Sequence, residues 1–518
     1  MRFLRRNAFL IYSIYAVTLV SGLLVTPIIV SALGRDEYGL WAFVGSLVVF
    51  FGLLDFGIAP SIIRFAAEQR GRGAQAEAEA SELASAGLVL YGVVALATLA
   101  LGLALIGLLP VFAEVPEGLL WPGRIALALL LAGSLIRFPF SLVNNLLAGQ
   151  QRYDVINLGS LLSIVVYTVA VAGVLLVWDG GIVLVAALTL VATALRLGLP
   201  ALWLRRELPT LRFAPALVRR ARLRQLVGFS VHTFFINVAS KAVFSADVVL
   251  VGIVLGLGAS AHYGLAAKLF ALVFGFGVSG ATVLFPFLAE LEGAEQLERQ
   301  RRWLLSAVRV VLSIVLLATF PLVLLPERFL QAWLGSSYQS EGFAASVSVL
   351  VLLMLSLLFA APTHVLTQIL VARGRHARLA LVRLATVGVN LVLSIVLALT
   401  VGIWGVALAT LVTEGLAAAL VLPGLVRREA GIGTGALLAA WSRPLAVALV
   451  AAVPTLLALG RLLPVDTLPE FGGVTVAWAI LFTVLIWRFG LGEEERGLIR
   501  RTFLRLRPVP AVAQDEPA

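Results

Sequence analysis

Nine ionisable side chains lie inside long apolar runs of this 518-residue chain: Arg137, Arg196, Lys241, Lys268, Arg309, Arg383, Asp55, Asp247 and Glu414. A charge at bilayer depth is costly, so each needs either a function or a partner. Lys268, in Ala-Ala-Lys-Leu-Phe, has two readings. It can hold a diphosphate or an acidic sugar through charge-assisted hydrogen bonds, or pair with an acid across the bundle. Asp247 is six residues from Lys241, so the two lie on different helix faces and do not bond each other. Asp247 is then a proton or cation site, or the partner of a base on another helix. Lys241, with His232 and Asn237 at neighbouring turns, extends a polar stripe towards one mouth of the bundle.

Arg137 precedes Pro139, and Asn144 and Asn145 follow within two turns. A proline frees backbone carbonyls that need other partners, so this cluster is either a structural knot or a wall offering hydrogen bonds to sugar hydroxyls. Pro362, Thr363, His364 and Gln368 hold the corresponding place later in the chain. His364 is either a pH-sensing group or a satisfied hydrogen-bonder. Arg383 and Asn390 are seven apart, hence on one face, and Glu414 can pair with Arg383, which would leave neither for a solute. Arg196 and Arg309 either snorkel or are buried. Asp55 reads as structural or charge-pairing.

Catalysis is the weaker expectation. There is no G-x-x-x-x-G-K-[ST] phosphate loop. The four His, at 232, 262, 364 and 376, lack metal-ligand spacing. Cys is absent, and no loop is large enough to bring paired acids together for glycosyl transfer. Neither cofactor nor metal is expected.

The elements that must position these charges follow from composition. Hydrophobic residues are 61% of the chain, charged residues 13%, and mean hydropathy is +1.03. A soluble protein is about half apolar and a quarter charged, so the solvent for this surplus is lipid. A span needs about 20 mostly apolar residues. Fourteen such runs occur, near 8–32, 39–62, 83–109, 120–146, 155–178, 181–204, 226–251, 258–288, 304–326, 343–371, 378–400, 402–424, 443–463 and 472–490. The basic N-terminus with its long apolar run reads as an uncleaved first span rather than a signal peptide.

The net charge of +11 is almost wholly arginine, with lysine only at 241 and 268. With both termini cytoplasmic, 29 arginines fall on the inner side and four, Arg35, Arg124, Arg328 and Arg461, on the outer. That is the bias that orients integral membrane proteins, and it sets aside nucleic acid as a partner. The stretch between spans six and seven, RRELPTLRFAPALVRRARLR, carries seven arginines. It is either an interfacial segment on anionic lipid or a solvated topology signal.

The chain also echoes itself. Tyr38-Gly39-Leu40 matches Tyr263-Gly264-Leu265, and Gly149 matches Gly374, both at an offset of 225. Gly181-Ile182 matches Gly402-Ile403, and Thr189-Leu190-Val191 matches Thr410-Leu411-Val412, at 221. The expected fold is therefore an all-α polytopic protein of two six-helix lobes related by a pseudo-two-fold axis along the membrane normal, with a solute cavity between them. The division is an N-lobe at 1–204, a basic linker at 205–225, a C-lobe at 226–424, two peripheral helices at 425–490 and a basic cytoplasmic tail at 491–518.

Several of these stretches resemble a known family. LGRDEYGLW (33–41), LLDFGIAPSIIRF (53–65), LLAGQQRYDVINL (146–158), YGLAAKL (263–269) and LFPFLAEL (284–291) are similar to the polysaccharide and oligosaccharide flippases of the multidrug/oligosaccharidyl-lipid/polysaccharide exporter superfamily. The resemblance covers spans one to twelve. It implies a V-shaped transporter that alternates between inward-open and outward-open states. The implied substrate is a sugar chain on polyprenyl diphosphate, turned to the outer leaflet of a prokaryotic plasma membrane. Membrane lipids, and glycosyltransferases and a polymerase of the same pathway, are the implied partners of a monomer. Cation-coupled multidrug exporters and lipid II flippases are the alternatives within the superfamily. Lipid II flippases carry a cavity arginine in a motif like that of Lys268, two extra C-terminal helices, and arginines in their first two helices. This chain has the extra helices but no Arg within span one, and Arg64 lies only at the exit of span two.

Overall fold

A computed structural model describes residues 2–55, 57–69, 74–178, 180–279, 296–373, 376–462 and 467–499. In hydrocarbon every backbone N–H and C=O must be satisfied within its own segment, which leaves helices as the available element for these runs. Twelve helices among the described residues are long and apolar enough to cross a membrane.

The first of them, α1 (Arg2–Phe51), is two helices that meet at Gly34, whose φ of 66° and ψ of 179° only glycine adopts readily. A Cβ at Gly264 would sit 2.6 Å from Ala42, one at Gly22 would sit 2.7 Å from Leu272, and Gly39 abuts the Leu257 carbonyl. Residues 39 and 42 thus descend beside 257 and 264, while residue 22 lies beside 272. The stretches on either side of Gly34 are therefore antiparallel.

The run 39–62 is not one helix, as its hydropathy suggests. It breaks into a 3-10 turn at Gly52–Asp55 and, past Gly57 (φ 74°), restarts as α2 (Ile58–Gln69). Two glycines flank an aspartate there, and Asp55 Oδ2 accepts the Ala59 N–H at 3.5 Å, a short-range alternative to helix continuation.

The remainder of the first half is α3 (Ala74–Phe112), α4 (Glu117–Gly149), α5 (Tyr153–Leu175) and α6 (Gly181–Glu207). The second half is α7 (Arg220–Leu255), α8 (Leu257–Val278), α9 (Leu297–Leu324), the short α10 (Pro326–Leu334) and α11 (Ser336–Ser340), then α12 (Ser346–Ala372), α13 (His376–Val401) and α14 (Ile403–Leu416). After α14 a π-turn leads into α15 (Leu422–Ala430). The connection between halves is shorter than 205–225, because α6 runs to Glu207 and α7 starts at Arg220. Gly181 (φ 57°) and Gly402 (φ 83°) open α6 and α14, and Gly34 and Gly256 (φ 87°, ψ 170°) open corresponding turns. These pairs share a sequence offset of 221 or 222, and each puts glycine where a left-handed residue is needed.

The C-terminal pair begins earlier than its hydropathy suggests. A helix runs through Thr434–Leu462, with a π-turn at Ala448–Ala452, so Arg443 is helical rather than in a loop. Its first part is α16 (Thr434–Val447) and its second α17 (Val453–Leu462). Next comes α18 (Leu468–Leu485), started by a Thr467–Glu470 capping box. Trp478 is fully buried, donates Nε1 to the Leu317 carbonyl of α9 at 3.1 Å and stacks on Phe482. The region after 490 is not simply a tail: α19 (Glu493–Ile499) docks on α9.

Two apolar clusters result. The larger joins both halves and the C-terminal helices, and the smaller sits at one end of the first half around Ile62, Leu83, Leu142 and Leu147.

Candidate functional site

The antiparallel arms of α1, with α4, α5 and α6 from the first half and α7 and α8 from the second, enclose a cavity of about 680 Å³. Close packing at Gly39, Ala42 and Gly264 brings α1 and α8 together at one end, as small residues allow helix backbones to approach in membranes. Across the same end the Arg35 N–H reaches Glu341 Oε2 at 2.8 Å, and further along the first arm of α1 Trp333 Nε1 donates to the Leu23 carbonyl at 2.7 Å. Contacts of α2 and α3 with α7 join the halves elsewhere.

Three cations face this space: Arg137 on α4, Arg196 on α6 and Lys268 on α8. Lys268 and Arg196 keep exposed surface although both lie within the helix bundle. Arg137 and Arg196 are near enough to feel each other's charge. Arg137 packs over Gly52, where a Cβ would come within 3.2 Å of its Nη1. The break in the second span thus makes room for the guanidinium. Among the described residues no carboxylate lies within ion-pair distance of these three groups, whereas the other intramembrane arginines have acids: Arg383 meets Glu414 at 3.6 Å, and Arg309 Nε donates to Glu495 at 2.9 Å. Hydroxyls supply the rest of the polar wall: Thr18, Ser21, Ser46, Ser134, Tyr167, Thr189 and Thr193.

Asp247 borders the cavity from α7 and is buried. Its Oδ2 accepts the Tyr263 hydroxyl at 2.8 Å and the Thr410 hydroxyl at 2.9 Å. Asn390 Nδ2 in turn donates to Thr410 at 3.3 Å and Thr413 at 3.2 Å. Among the described residues no basic side chain pairs with Asp247, whose carboxylate is held by neutral donors. Such a group can take a proton or a small cation at low cost to its surroundings.

Other expected wall residues are placed differently. Asn390 serves the Asp247 network, and Arg383 and Glu414 hold each other. Asn145 donates to the Tyr91 hydroxyl at 3.0 Å, a group also within reach of Asp55. The Asn144 Oδ1 is buried without a protein partner among the described residues. His364 sits edge-on to Phe274, and Gln368 Nε2 lies 3.4 Å from it. None of Asn144, Asn145, His364, Gln368, Arg383 and Asn390 lines the cavity. Lys241, His232 and Asn237 fall at positions of α7 whose side chains lie outside the described residues. Arg196 and the hydroxyl belt went unassigned in the sequence. An unpaired mid-span arginine is a signal for the first, while serines and threonines that bond back to their own helix look alike wherever they face.

The family model described as polysaccharide biosynthesis protein matches residues 4–292, a range that includes Arg137, Arg196, Asp247 and Lys268. No curated protein matches the chain. Among solved structures, the lipid II flippase MurJ in an inward closed conformation is 13% identical, covering 92% of this chain and 98% of that one at a TM-score of 0.67. An inward-facing multidrug resistance MATE transporter of the MOP superfamily is 17% identical, covering 82% and 98% at 0.65. The MATE transporter DinF-BH in complex with R6G is 18% identical, covering 83% and 95% at 0.58. At these identities the likeness shows the fold. With the family model spanning more than half of the chain, this multi-pass membrane protein belongs to the polysaccharide biosynthesis protein family.

Proposed function

We propose that this protein turns a polyprenyl-diphosphate-linked oligosaccharide from the cytoplasmic to the outer leaflet by alternating access. The observation that carries the reading is the set of three cavity cations, Arg137, Arg196 and Lys268, without an acid among the described residues. Arg137 and Arg196 repel each other unless an anion completes them, and a diphosphate supplies two adjacent negative groups. The hydroxyl wall suits sugar hydroxyls, and the carrier's tail remains in lipid. Fourteen spans, two pseudo-symmetric lobes, cytoplasmic termini and a prokaryotic plasma membrane complete the proposal. The break at Gly34, the paired positive-φ glycines and the arginine bias support it. Energy enters through Asp247 as a proton or cation site, driven by about 2.3 kcal/mol per elementary charge per 100 mV.

The test is leaflet-resolved labelling of lipid-linked sugar in cells lacking the protein. Accumulation on the inner leaflet is expected, and normal outward appearance without a redundant flippase would refute the proposal.

Asp247 on the cavity wall favours a second reading, export of cationic drugs. Efflux of a cationic dye that depends on Asp247 and is indifferent to Arg137, Arg196 and Lys268 would select it.

A further inference from the structure

The segment joining the halves sorts its residues by type. Leu208, Leu211 and Leu223 pack on the smaller apolar cluster. Ser81 and Ser85, one turn apart on α3, accept the backbone N–H groups of Arg212 and Ala214 at 3.1 and 3.2 Å. Arg219 Nε reaches Glu82 at 3.0 Å. Residues 208–219 are thus strapped along the start of α3 rather than looped into water. The arginines point the other way: Arg205, Arg206, Arg212, Arg220 and Arg224 are exposed, and none has a carboxylate partner among the described residues.

The strap lies at the level where α3 changes from polar to apolar sequence. The apolar run of α3 begins at Leu83, between the two serines that hold the strap, and α6 reaches it with Leu202 70% exposed. Phe213 is 45% exposed within the strap, and the Arg206 guanidinium lies 5.8 Å from the Trp203 ring centroid. Aromatic rings and arginines side by side mark membrane–water interfaces. Guanidinium forks match phosphate oxygens two at a time. An acidic protein would need the arginines to project into water, whereas here apolar and aromatic groups flank them on the lipid-facing side.

We propose that this strap binds anionic phospholipid headgroups of the adjoining leaflet, with Arg205, Arg206, Arg212, Arg220 and Arg224 as phosphate ligands and Phe213 as an apolar anchor. Because the strap ties α6 to α7, bound headgroups hold one end of each half at the bilayer surface. Anionic lipid content then tunes movement between the halves, whatever solute the cavity carries.

The experiment is native mass spectrometry and thermal unfolding of the purified full chain in detergent, titrated with phosphatidylglycerol or phosphatidylcholine. Phosphatidylglycerol should be retained about tenfold or more over phosphatidylcholine and raise the melting temperature, with the difference shrinking as salt rises. Changing the five arginines to Gln should remove the preference, and changing them to Lys should keep most of it. Equal retention of both lipids by the native chain overturns the proposal. So does an undiminished preference in a folded five-Gln variant. A melting shift as large with inorganic phosphate alone would show a phosphate site that does not read lipid. Loss of a co-purifying acidic protein, with lipid preference intact, would assign the strap to a protein partner instead.

Discussion

At the scale of single residues, charge without a partner separates the site from its surroundings. Arg383 and Glu414 neutralise each other 3.6 Å apart, while Lys268 faces the cavity with no such acid among the described residues. A hydrogen bond to a charged group contributes about 1.5–3 kcal/mol, roughly 10- to 150-fold in affinity. Lys268→Ala should weaken binding of a soluble diphosphate headgroup analogue by that factor, measured by calorimetry on the purified protein. Asp247→Asn leaves Tyr263 and Thr410 with an acceptor of similar shape. It is expected to preserve headgroup affinity while making transport into vesicles independent of the imposed ion gradient. Lys268 and Asp247 were legible as chemistry from the sequence, because a charge in an apolar run announces itself. Whether Asn390 and Asn145 face the cavity was not legible, since an amide reads the same whether it serves solute or a neighbouring threonine.

At the scale of elements, the contact between α1 and α8 is the joint that closes one end of the cavity. Gly264 admits Ala42 so closely that any larger side chain must separate the helices. Gly264→Leu should therefore hold that end open. The chain has no cysteine, so single cysteines placed at cavity positions such as Ser46 can be labelled from that side, and their labelling rate should rise at least severalfold in the variant. Trp478 is the corresponding anchor for the C-terminal pair. Trp478→Ala removes a buried ring and its hydrogen bond to Leu317, at a cost of about 3–5 kcal/mol, and should lower the melting temperature without changing headgroup affinity. The repeat glycines were visible in the sequence, but the break at 52–57 was not. Hydropathy sums over residues and does not register that Gly52, Asp55 and Gly57 together favour a turn over a helix.

At the scale of the whole molecule, the short helix α19 is fastened to α9. Ser306 donates to Glu495 at 2.7 Å and Arg309 Nε at 2.9 Å. Burial pushes the Glu495 carboxyl up, but the hydrogen bonds from Ser306 and Arg309 outweigh it and hold it below the ordinary 4.5. A depressed carboxyl pKa contributes stability above the unfolded value and loses it as pH falls through the folded one. The hydrogen-exchange protection of residues 493–499, relative to the intrinsic rate at each pH, should therefore be high at neutral pH and fall as pH drops below about 4.5. In Glu495→Gln that pH step should be absent.

Solvent, element type and orientation bias were determined by the sequence alone, because transfer into lipid is a sum over side chains and the arginine bias is a sum over loops. The echo of Gly181-Ile182 in Gly402-Ile403 was readable because both glycines stand where the backbone has a positive φ. Partnership was decided only by the tertiary structure. Which charges meet an acid depends on helix rotation and on which helices are neighbours, and neither follows from spacing along one helix. That is why Arg383 left the site, Arg196 joined it, Asp247 acquired two hydroxyl donors, and a stretch rich in arginine became a strap held by two serines of α3.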